Sequence, residues 1–165
     1  MSRLRPADVL AGVGGTVLLG SLWLTWYGFA AGVLIGPGGD AVLFGANDRH
    51  VPALTAWEAF SVTDVLLALF ALLAIGVPLT SALARGPAKP VAFTVLGSVG
   101  GVLAVLLVLY RLLDQPGSNA LVAVKAGAWI GLAGAVLTLV GCWLAMADDR
   151  TPGAAPPQVP RRPAP

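Results

Sequence analysis

Four ionisable residues, Glu58, Asp64, Arg111 and Asp114, stand at the margins of long apolar runs. Charge at the edge of a hydrocarbon layer is costly unless it is paired or lifted to the headgroups. Such residues are therefore the first place to look for a site. If the run starting near Val91 is helical, its rise of ~1.5 Å per residue carries Arg111 about 30 Å along the axis. That is the level at which Asp64 opens another run, so an Asp64–Arg111 pair is within reach. A simpler reading gives each residue a local task. Asp64 caps its helix, Arg111 snorkels to headgroups and Asp114 starts a turn.

Other chemistry finds little support. His50 is the single histidine, and with Asp48 alone beside it no metal site is expected. No serine nucleophile, phosphate cradle, metal cluster or cofactor motif is recognisable. Cys142 is the single cysteine, which excludes an intramolecular disulfide. Leu139-Val140-Gly141-Cys142 has the form of a lipoprotein cleavage box, but it lies in the last apolar run, where a packing role is expected. The interiors of the last three runs hold no acidic residue of the kind proton-coupled transport uses. Pro157-Gln158-Val159-Pro160-Arg161 fits a proline-rich ligand, though Arg161 and Arg162 lying near anionic lipid is the plainer expectation.

The elements that hold these residues follow from composition. Hydrophobic residues make up 57% of the chain and charged residues 11%, against about 25% charged in a soluble domain. The apolar residues fall into four blocks, at about 8–27, 62–83, 91–113 and 126–147. Each reaches the ~20 residues that a membrane-crossing helix needs. The expected fold is an all-α membrane protein, a four-helix transmembrane bundle over residues 1–147. Residues 148–165 form a Pro- and Ala-rich tail expected to be disordered. The net charge of +2 is too small to imply nucleic acid.

Seven of the ten Lys and Arg flank one side: Arg3, Arg5, Arg85, Lys89, Arg150, Arg161 and Arg162. By the positive-inside rule both termini are cytoplasmic. Trp23, Trp26 and Tyr27 are expected to close the first helix at the outer interface, and Trp57 and Phe60 to enter the second there. Thr55-Ala56-Trp57-Glu58 and Ser61-Val62-Thr63-Asp64 both carry capping-box spacing. The first predicts a short interfacial helix over residues 56–60. In the first outer loop, residues 33–35 and 41–44 flank a turn-rich 36–40 and predict a small hairpin. Pro78 should kink the second helix near its inner end.

Small residues mark the faces along which helices meet in lipid. The last block carries Gly127, Gly131, Gly134, Thr138, Gly141 and Ala145, spaced four and three apart on one face. The third offers Gly97, Gly101 and Ala104, and the first Gly12, Thr16 and Gly20. Val13-Gly14-Gly15 and Val99-Gly100-Gly101 echo one another faintly.

Trp57-Glu58-Ala59-Phe60 before Asp64, Tyr110-Arg111-Leu112-Leu113-Asp114 before Pro116, and Gly127-Ala128-Trp129-Ile130-Gly131 form an ordered set. Together they resemble a group of uncharacterised four-helix membrane proteins common in actinobacteria, over roughly residues 8–147. The resemblance implies no activity. The expected role is a non-enzymatic structural or accessory component of the bacterial plasma membrane. Its partners would be membrane lipid, another membrane protein or a second copy of itself. The alternative is a small transporter or lipid-binding permease with an outward-facing cleft.

Overall fold

The computed structural model describes residues 4–29, 34–35, 41–43, 46–48, 53–60, 62–83, 88–115 and 122–150. His50, the turns at 36–40 and 116–119, Ser61, the basic link at 85–87 and the tail beyond Arg150 lie outside them, while residues 148–150, expected in the tail, continue the last helix. In chain order the elements are α1 (Pro6–Ser21), β1 (Thr25–Phe29), β2 (Leu34–Ile35), β3 (Ala41–Leu43), β4 (Ala46–Asp48) and β5 (Leu54–Thr55). There follow α2 (Ala56–Ala59), α3 (Thr63–Leu83), α4 (Ala88–Leu113), β6 (Val122–Val124) and α5 (Ala126–Arg150). The chain is mostly helical, with two small antiparallel sheets.

Three helices are long and apolar enough to cross a membrane: α3, residues Ala92–Leu113 of α4 and Ala126–Ala147 of α5. Their mean hydropathies are 2.3, 2.4 and 2.0. Large apolar side chains stay exposed along all three, among them Leu69, Leu72, Leu106 and Val140. In water a continuous apolar surface of this kind associates; in lipid it is solvated.

The first helix differs from expectation. It ends at Ser21 rather than near residue 27, so its 16 residues span about 24 Å. A bare apolar run does not separate helix from strand, and here the strand wins because it has partners on both edges. β1 is the central strand of a sheet ordered β5–β1–β6. Tyr27 pairs with Val124 and Phe29 with Val122 on one side, and Thr25 pairs with Thr55 on the other. Trp23, Trp26 and Tyr27 thus follow the helix instead of closing it, and Trp26 and Tyr27 are fully buried. The hairpin of the first loop is present as β2–β3, with Leu34 opposite Val42, and β4 adds a third strand. The α2 helix lies where its capping box predicts.

Helix α1 packs on α3 and α5, and α4 packs on the same two. The contacts are made at backbone level. A Cβ on Gly134 would lie 2.5 Å from the Leu18 backbone nitrogen, and one on Gly101 2.8 Å from Leu139 Cα. A Cβ on Gly97 would lie 2.6 Å from Cys142 Sγ, and Gly141 abuts the Ala11 backbone. Gly127 and Gly131 serve a different neighbour, facing Thr25 and the Trp26 ring.

On α1 the expected stripe holds at Gly12, which is buried against the Pro78 ring, and fails at Thr16 and Gly20, which are exposed. Gly20 meets nothing within 4 Å, and Thr16 turns its hydroxyl back to the Gly12 carbonyl at 2.9 Å. The buried residues are Ala7, Asp8, Ala11, Gly12, Gly14, Gly15, Leu18 and Ser21, and within them runs a face of Ala7, Ala11, Gly14, Leu18 and Ser21. It steps by four and three as a face does, whereas three residues each four apart drift around the helix. Gly15, one residue round from Gly14, faces the Ala71 carbonyl of α3 instead.

Candidate functional site

The described end of the molecule where α1 and α4 finish and α3 and α5 begin carries the β5–β1–β6 sheet and the expected charged residues. Its centre is Phe60, 5% exposed between α2 and α3. Trp26 and Tyr27 both meet its ring edge-to-face, with centroids 5.4 and 5.9 Å away and interplanar angles of 87°. The Arg111 guanidinium carbon lies 4.4 Å from the centre of the same ring. A cation over an aromatic face is attracted by the ring quadrupole, more strongly where water is scarce.

The two buried aromatics of β1 also finish two helices. The Trp26 indole donates to the Ser21 carbonyl at the end of α1, at 2.7 Å. The Tyr27 hydroxyl donates to the Arg111 carbonyl in the last turn of α4, at 2.6 Å. The Ser21 carbonyl also accepts the Leu24 N–H at 3.0 Å, so the indole adds a second bond there, while the Arg111 carbonyl lies in the last turn, where carbonyls lack an intrahelical donor. Burial pushes the Tyr27 phenol up to about 12; the Arg111 charge opposes the rise and Asp114 adds to it.

The four predicted charges do not form one cluster. Asp64 is 4% exposed and accepts the Val65 backbone N–H at 2.8 Å. Arg111 reaches the neighbouring residue instead, donating from Nη2 to the Thr63 hydroxyl at 3.0 Å. Asp114 accepts the Tyr110 hydroxyl at 2.7 Å, one helical turn back. Glu58 accepts the Thr55 backbone N–H and hydroxyl, both at 2.9 Å, which holds its carboxyl below the ordinary value. No carboxylate among the described residues pairs with Arg111.

Sequence reasoning did not single out Thr63, Tyr110 or Tyr27 as members of this site. The four-residue spacing of Tyr110 and Asp114 was the available signal for one of them. Beside this cluster, Trp23 and Trp57 stand with ring centroids 5.6 Å apart, Trp23 largely uncovered and Trp57 about one-third exposed.

Nothing in the arrangement resembles an activated nucleophile or an acid–base pair. Among the described residues no three His, Cys, Asp or Glu side chains come together as metal ligands would. At the other end of the molecule an apolar groove of about 400 Å³ runs between α1 and α3. Gly12 and Pro78 both line it, and the Pro78 Cγ would lie 2.7 Å from a Cβ on Gly12. No family model matches the chain, and neither a curated protein nor a solved structure does.

Proposed function

We propose that the chain is a four-span protein of the bacterial plasma membrane with both ends in the cytoplasm. In this reading it is a non-enzymatic structural or accessory component of the envelope, like the actinobacterial group it resembles. The observation that carries the reading is the combination of an apolar exterior with an interior closed at backbone level. Gly101, Gly134 and Gly141 bring their helices too close for a polar channel at those positions.

Helix α1 supplies the fourth span in this account. It is short, but it packs on α3 and α5, and its buried face runs from Ala7 to Ser21. A bilayer that holds those two helices would hold α1 with them. Modest thinning and interfacial anchoring absorb such a mismatch, and the exposed Trp23 suits that task. The alternative, a small transporter or lipid-binding permease, needs a polar cleft, and the groove beside Pro78 is lined by apolar residues with Thr16 as the exception.

Cross-linking in the native membrane followed by mild-detergent purification tests the accessory role. The chain should be recovered in a complex of fixed mass with a defined partner or with itself. Recovery as a bare monomer at every cross-linker concentration would contradict it.

A further inference from the structure

Toward the described residues, Arg111 spends little of its hydrogen-bonding capacity. A guanidinium carries five N–H donors. One of them, on Nη2, goes to Thr63. Nε is buried without a partner. Nη1 bonds to no described group and is not among the buried atoms. The guanidinium carbon sits over the Phe60 ring at 4.4 Å, and Nη1 is left for an acceptor. The Thr63 hydroxyl accepts from Arg111 and still has its own hydrogen to give. An oxyanion with several acceptor oxygens fits these donors, since guanidinium binds phosphate through paired N–H groups.

The surroundings decide which kind of phosphate. The exposed carboxylates of the same rim, Asp114 and Glu58, are acceptors. Asp114 lies three residues from Arg111 on one helix end, a spacing that brings side chains to neighbouring positions. A purely anionic headgroup would meet its own sign there. A headgroup that carries a primary ammonium beside its phosphate matches both charges.

From this donor and acceptor pattern we infer that the rim where α4 ends and α3 begins is a seat for a phosphatidylethanolamine-type headgroup. Its phosphate is held by Arg111 and Thr63, and its ammonium by Asp114. The inference rests on the membrane-spanning reading, which places this rim at headgroup level.

Native mass spectrometry of the purified full chain, titrated with phosphatidylethanolamine, phosphatidylcholine and phosphatidylglycerol, tests it. The wild-type chain should bind one phosphatidylethanolamine at least tenfold more tightly than either other lipid. Arg111→Gln should weaken all three, and Arg111→Lys, which keeps the charge but not the paired donors, should recover only part of the loss. Asp114→Asn, at an exposed position, should leave folding intact and abolish the preference for ethanolamine over glycerol. Preference for phosphatidylglycerol in the wild type, or unchanged selectivity in Asp114→Asn, would overturn the proposal. So would displacement of the lipid by millimolar inorganic phosphate, which would make a soluble anion the ligand. Retention in carbonate-washed membranes is scored in parallel. A chain that resists carbonate yet holds no lipid sinks this inference alone, while a chain released by carbonate sinks the spanning reading as well.

Discussion

Tyr27 does two things with one side chain: its ring packs on Phe60 and its hydroxyl completes the last turn of α4. Tyr27→Phe keeps the ring and orphans the Arg111 carbonyl, so thermal unfolding in detergent should show a loss of about 1 kcal/mol. The same group titrates late. With its pKa raised from 10.0 to about 12, its contribution is complete below pH 10 and is lost as pH climbs from there through the folded value. Tyrosinate absorbance should show a component with a midpoint near that value, absent from Tyr27→Phe; an unchanged late component would mean Tyr27 is not its source. Phe60→Ala removes the ring on which Trp26, Tyr27 and Arg111 all rest. It should cost about 3 to 5 kcal/mol by the usual penalty for emptying an aromatic site, measured by the same unfolding. At this scale the sequence brought Arg111 to the correct end of the molecule and missed its partner. Helical rise placed Arg111 level with Asp64, but a depth argument cannot tell Asp64 from Thr63. The hydroxyl takes the bond, while Asp64 is occupied by the backbone beside it.

At the scale of elements, α5 was legible and the end of α1 was not. The α5 small residues alternate four and three, which fixes one face, and Gly134 and Gly141 do lie against α1. Gly134→Leu should push α1 away, since its Cβ would meet backbone rather than a side chain that can turn aside. A loss of roughly 3 kcal/mol or failure to fold is expected, read as a lowered unfolding temperature or aggregation on detergent extraction. Thr138 offers the opposite sign. Its hydroxyl is fully buried and has no hydrogen-bond partner. Thr138→Val keeps the shape and removes the orphan, so the unfolding temperature should rise, by the equivalent of about 1 kcal/mol. A fall would show that the hydroxyl is engaged. Strand β1 escaped the sequence because its partners lie far along the chain, at Leu54–Thr55 and Val122–Val124. Nothing local distinguishes Thr25–Phe29 from the helix that precedes it. The sheet is a product of tertiary pairing, and the three-residue strand β6 is too short to announce itself.

On the scale of the whole molecule, the division into two unlike ends is the consequence that matters. One end gathers the sheet, the aromatic cluster and Arg111; the other carries the apolar groove beside Pro78 and the start of α1. The spanning capacity of α3, α4 and α5 rests on length and hydropathy. That of α1 rests on its packing, because 16 residues alone are marginal. Three spans would put the termini on opposite sides of the membrane, and four put them on the same side. The most direct test is therefore labelling of single cysteines in intact cells with a membrane-impermeant thiol reagent. Cys142→Ala provides the background, with Ser2→Cys, Gly117→Cys or Ala164→Cys added one at a time. The account predicts that position 117 is labelled in intact cells, and that positions 2 and 164 are labelled only after permeabilisation. Labelling of position 2 and not position 164 in intact cells, or the reverse, would contradict it.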